Sequence, residues 1–123
     1  MSDPNFVLLY VDNPPASAAF YADLLGRSPL EASPTFAMLP MTEGVMLGLW
    51  ARHTVEPAAV AAPGGGEIAF TVADRAAVAD MHQDWSRRGL RIVQAPTDMD
   101  FGHTFVALDS DGHRLRVFAP TQP

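Results

Sequence analysis

The chain has 123 residues, 48% of them hydrophobic and 18% charged, the composition of one globular domain with a real core and not of a disordered segment. Its net charge is −6 and all eight basic residues are arginine, which argues against a polyanion such as nucleic acid as partner. There is no cysteine for disulfides or thiolate chemistry, no apolar run near the roughly 18 residues of a membrane span, and no basic-apolar leader in "MSDPNF". A soluble cytoplasmic protein is expected, and the lysine-free, Ala/Pro/Arg-rich composition suggests a bacterial host.

In chain order, "FVLLYV" alternates, placing Val7, Leu9 and Val11 on one face of a strand and Phe6, Leu8 and Tyr10 on the other. Asn13 is suited to cap a helix that opens on Pro14 and Pro15, where a missing N–H costs nothing. Phe20 and Leu24 lie four apart on that helix, and Gly26 suits a left-handed stop. Short strands are predicted around "TFAML" and "GVMLGLW". After the linker "ARHTVEPAAVAAPGGG" a second strand, "EIAFTV", places Ile68, Phe70 and Val72 on one face. Asp74 then caps a helix with Met81 and Trp85 four apart, and Gly89 ends it.

Counted from the two caps, the strand apolars fall at minus 6, minus 4 and minus 2 in both halves, and the helix anchors at plus 7 and plus 11. The chain therefore reads as two copies of one β-α-β-β-β unit: residues 5–50, a linker over 51–65, and residues 66–119. The expected class is α+β, with mixed sheets curled around a concave cleft and helices outside. Each sheet has one face under its own helix, and the other faces are expected to line a ligand site. By the repeat those lining residues are Phe6, Leu8 and Tyr10 with Glu67, Ala69 and Thr71 as counterparts, and Met46, Gly48 and Trp50 with Arg114, Arg116 and Phe118.

The last stretch, "FGHTFVALDSDGHRLRVFAP", reads as a hairpin, with two arginines sharing one face of its second strand. A four-residue loop, Ser110–His113, sets Ala107 opposite Arg116 and adds His103 and Phe105 to the ligand face.

The pieces "YVDNPPASAAFYADLLG", "GGEIAFTVAD" and "FVALDSDGHRLRVF", spread over nearly the whole chain, resemble the vicinal oxygen chelate superfamily of glyoxalase I, bleomycin-resistance proteins and extradiol dioxygenases. The final hairpin and "PTDMDFGHTF" look most like its phenazine-resistance, drug-sequestering branch. In metal-dependent members, the resemblance implies, four ligands come from the first and last strands of the two units. The matching positions are Phe6, Gly48, Glu67 and Arg116, of which only Glu67 offers a metal donor. The expectation is thus no metal, no cofactor and no catalytic residue.

Among the candidate binding residues, Glu67 and Arg116 read either as a paired charge holding the site in register or as groups that orient a ligand amine and carboxylate. His103 is expected at the pocket as a single hydrogen-bonding group. Phe6, Tyr10, Phe36, Trp50, Phe105 and Phe118 supply aromatic walls, with Trp50 as a stacking surface, and Met46, with Met38, supplies adaptable contacts. His53, His82 and His113 show no ligand spacing and read as surface or structural. The reading that results is a metal-independent homodimer that sequesters a small planar aromatic antibiotic or metabolite, as in antibiotic resistance, with no nucleic-acid or membrane partner. The alternatives are a metal-dependent glyoxalase-like lyase or isomerase, or a dioxygenase, with non-standard metal ligands, and a bleomycin-type binder of a cationic glycopeptide.

Overall fold

The computed structural model describes residues 2–121. The chain divides into two compact units, the division falling between Ala61 and Ala62. No helix among the described residues is long and apolar enough to cross a membrane.

The first unit runs β1 (Phe6–Val11), α1 (Pro14–Leu25), β2 (Glu31–Ala32), β3 (Phe36–Thr42) and β4 (Val45–Ala51). Its open sheet has the order β1-β4-β3-β2, with β1 parallel to β4 and the other pairs antiparallel. The Asn13 side chain accepts a hydrogen bond from Ala16 N at 3.1 Å, and Pro14 and Pro15 fill the first helical positions. Gly26, at φ 66°, ends the helix in the left-handed conformation that its sequence position predicts.

The buried stripe of α1 is Pro14, Ser17, Ala18 and Tyr21, so the spacing i, i+3, i+4, i+7 starts from Pro14. Phe20 and Leu24 are only half-buried, and Phe20 packs edge-on against Tyr21 at 5.0 Å. Small residues at 17 and 18 let the helix approach closely, and that approach selects this face over the bulkier one. Under it lie Val11, Ala37, Leu39, Leu47, Leu49 and Ala51, all fully buried. Each buried leucine here contributes about 1.5–3 kcal/mol.

The second unit repeats the order: β5 (Glu67–Thr71), α2 (Arg75–Arg87), β6 (Arg91–Met99), β7 (Gly102–Leu108) and β8 (Arg114–Pro120), in an open sheet β5-β8-β7-β6. Asp74 caps α2 by accepting from Ala77 N at 2.9 Å. Val78 and Trp85 are its buried residues, while Met81 is half-buried.

The repeat extends to register. Phe6, Leu8 and Tyr10 stand beside Met46, Gly48 and Trp50, and Glu67, Ala69 and Thr71 beside Arg114, Arg116 and Phe118. The tandem β-α-β-β-β reading therefore holds strand for strand.

The final hairpin differs from expectation. Leu108 pairs with Arg114, Ala107 with Leu115 and Val106 with Arg116, leaving a five-residue loop, Asp109–His113. Asp109 builds it: its Oδ1 accepts from both Asp111 N and His113 N at 2.9 Å, while its backbone N–H donates to His113 O at 3.0 Å. One extra loop residue inverts β7. Phe105 and His103 consequently lie on the α2 side of the sheet, and Thr104 and Val106 take the face assigned to them. Phe105 is 0% exposed, edge-on to both Trp85 and His82 at 5.3 Å.

Candidate functional site

In the first unit the sheet face turned away from α1 is an apolar wall. Phe6, Leu8 and Tyr10 come from β1, Met46, Gly48 and Trp50 from β4, and Phe36, Met38 and Pro40 from β3, directly across from Trp50, Gly48 and Met46. Phe6 and Leu8 remain 42% and 46% exposed, a costly placement for two large apolar side chains. Tyr10 and Trp50 meet edge-on with ring centroids 6.1 Å apart.

Gly48 makes this arrangement possible. A Cβ there would lie 2.6 Å from Leu8 Cδ2, 2.7 Å from Phe6 Cε1 and 3.2 Å from Phe36 Cζ, so the glycine is the floor on which three side chains converge. The expected residues Phe6, Tyr10, Phe36, Met46 and Trp50 thus share one face. Leu8 and Met38, expected there as well, and Pro40, which was not foreseen, complete it.

The same face of the second unit is ionic. Arg116 holds Glu67 with two hydrogen bonds, Nε to Oε1 at 2.7 Å and Nη2 to Oε2 at 3.0 Å. Its Nη1 donates to Thr104 Oγ1 at 3.1 Å and to Gln94 Oε1 at 3.3 Å, and its guanidinium lies 5.7 Å from the centroid of the Phe101 ring. Phe101 in turn meets Phe118 edge-on at 5.8 Å. These partners of Arg116 (Thr104, Gln94 and Phe101) were not foreseen, since the inverted β7 brings Thr104 to this face. The Glu67 carboxyl is held below its ordinary value, chiefly by the Arg116 hydrogen bonds, against desolvation that pushes the other way.

Arg114 adds a second cation, with Nε 3.1 Å from Glu67 Oε2. That nitrogen is buried but out of line for a hydrogen bond.

His103, on the α2 side, pairs through Nδ1 with Asp98 Oδ1 at 2.8 Å, and Arg75 binds the same carboxylate oxygen. His103 and Arg75 hold the Asp98 carboxyl below the usual carboxylate range, the His103 hydrogen bond more strongly. The group borders a cleft of about 640 Å³ at the N-terminal end of α2, walled also by Met99, Ala119 and Pro120. Of the predicted site residues only His103 reaches this cleft; Phe105 reaches neither it nor the open face.

The sequence matches the model of the family described as the Glyoxalase/Bleomycin resistance protein/Dioxygenase superfamily over residues 4–117. The chain belongs to that superfamily. It is 27% identical, over 117 residues covering 93% of this chain and 89% of the relative, to the phenazine antibiotic resistance protein EhpR of Enterobacter agglomerans. The solution structure of protein ATC0852 from Agrobacterium tumefaciens is 51% identical and superposes with a TM-score of 0.89, covering 99% of this chain and 100% of that one. A lactoylglutathione lyase from Agrobacterium tumefaciens, 19% identical with a TM-score of 0.75 over 97% of this chain and 94% of that one, shares the fold.

The positions that the resemblance assigns to the ligands of metal-dependent members are Phe6, Gly48, Glu67 and Arg116, and this donor set does not fit a divalent ion. Phe6 and Gly48 carry no donor atom, and both Glu67 oxygens are engaged by Arg116. Among the described residues no three or more His, Cys, Asp or Glu side chains come together as a ligand group.

Proposed function

We propose that this superfamily member is a metal-independent binding protein that captures a planar aromatic small molecule of antibiotic type. The observation that carries the reading is the first unit's open face, where Phe6 and Leu8 stay exposed beside Phe36, Tyr10 and Trp50 over a glycine floor. A flat apolar wall edged with aromatic rings suits a planar ring system, each well-placed stack adding about 0.5–1.5 kcal/mol beyond burial. The similarity to a phenazine antibiotic resistance protein supports the same ligand class. Capture needs affinity and enough protein, and no bond is made or broken. The expected working form is a homodimer in a bacterial cytoplasm.

Titration with phenazine or quinoxaline tests this by tryptophan emission. Trp85 is buried under Phe70 and Phe105, so the change is expected from Trp50 and is expected to vanish in Trp50→Phe. Unaltered emission at tens of micromolar ligand, with no heat of binding by calorimetry, overturns the reading.

A further inference from the structure

The two units supply an internal control for the ionic face. Glu67, Arg114 and Arg116 occupy the positions that Phe6, Met46 and Gly48 occupy in the first unit, with the same strand register. The architecture is complete with no charge at any of the three, so the fold does not require the cluster. Nor does charge balance require it. Glu67 is already neutralised by the bidentate Arg116, whose side chain is only 16% exposed and whose donors are taken up by Glu67, Thr104 and Gln94. Arg114 is therefore the second of two cations beside a single carboxylate. Its side chain is 38% exposed and its buried Nε has no hydrogen-bond partner among the described residues.

We propose that Arg114 is an anion-recognition group, and that the molecule held on this face carries a carboxylate. The guanidinium fork matches a carboxylate with two parallel N–H donors. Arg116, assigned that part by position, acts instead as the strut that fixes Glu67, and Glu67 in turn anchors the Arg114 stem. Along the strand pair Ala69 and Thr71 are small and exposed, and Arg116 and Phe118 follow Arg114 on the same face. Arg114 and Phe118 are four residues apart on β8, about 13 Å, so a fused-ring acid lying along the strand reaches both. A cationic ligand is disfavoured on this face.

This inference extends the aromatic-capture reading from the first unit's open face to the second's, and rests on it; a matched pair of probes separates the two. Quinoxaline and quinoxaline-2-carboxylate are titrated calorimetrically at low and high salt. The acid is expected to bind about tenfold more tightly than the neutral parent at low salt, one charge-assisted contact being worth that factor, with the ratio shrinking as salt rises. Arg114→Gln is expected to bring the ratio to about one and Arg114→Lys to retain part of it, with thermal melts confirming that both variants are folded. Equal affinities in the unaltered protein, or a preference that survives Arg114→Gln, overturn the role of Arg114 and leave the capture reading standing. Binding of neither probe overturns both.

Discussion

Arg116 grips Glu67 through two hydrogen bonds of 2.7 and 3.0 Å, joining the last strand of the second unit to its first. The resemblance assigns both residues to ligand positions of metal-dependent members, and here both Glu67 oxygens are engaged by Arg116. Losing one partner leaves the other poorly compensated in a partly buried setting. Glu67→Gln is expected to cost about 1–3 kcal/mol, between the small value of an exposed pair and the large one of a buried pair, read from the urea midpoint. The pH dependence follows from the lowered Glu67 value. A carboxyl whose folded pKa lies below its ordinary 4.5 contributes fully above that pH. The contribution is lost as the pH falls through the folded value. The stability gap between the parent and Glu67→Gln should therefore be constant from neutrality to about pH 5 and close in more acidic solution; a gap that widens on acidification contradicts the assignment.

Phe105 tests the inverted β7. Buried against Trp85 and His82, it is a core residue, and Phe105→Ala should cost about 3–5 kcal/mol and change the Trp85 emission. Val106→Thr on the opposite face should leave that emission unaltered. Were Phe105 on the open face, its truncation would be mild and Trp85 would not respond.

Two glycines differ in what surrounds them. At Gly48 an added methyl meets only the ends of Phe6, Leu8 and Phe36 side chains, and the first two are exposed enough to swing aside. Gly48→Ala should stay within about 1 kcal/mol of the parent while displacing the Phe6 ring signals in NMR spectra. At Gly102, φ is 153° and the methyl would sit 2.1 Å from the Ala119 carbonyl oxygen in the neighbouring strand. Gly102→Ala should cost about 3 kcal/mol, and comparable melting temperatures for the two variants would refute the distinction.

Asp98 is held below the usual carboxylate range by the His103 hydrogen bond, the largest single cause, and by Arg75. Its side-chain ¹³C titration should accordingly move upward in both His103→Gln and Arg75→Ala. Its stabilising contribution is present above the ordinary value of 3.8 and fades as pH falls below it. An Asp98 titration indifferent to His103→Gln would show that the 2.8 Å contact is not made in solution.

The repeat was legible because it is written in local chemistry. Asn13 and Asp74 cap helices by bonding N–H groups three residues on, and Gly26 stops one by adopting positive φ. The alternation of Val7, Leu9 and Val11, and of Ile68 and Phe70, needs only the two-residue period of a strand. Local pattern also placed Phe6, Tyr10, Met46 and Trp50 on one face, and Glu67, Arg116 and Phe118 on the other unit's equivalent face.

What the chain alone could not decide was parity and company. Whether Phe105 and His103 join the ligand face turned on one residue in a loop, and that count was set by Asp109 folding back onto Asp111 N and His113 N. Ser17 and Ala18, not Phe20, became the buried side of α1 because packing rewards close approach over hydrophobicity of the individual residue. The division of labour between two identical cations was decided the same way. Arg116 found Glu67, Thr104 and Gln94 within reach, whereas Arg114, two residues earlier on the same strand face, found a single off-line contact. Sequence fixes which side of a strand a residue takes once the register is known; register, and the partners it delivers, come from strands far apart in the chain.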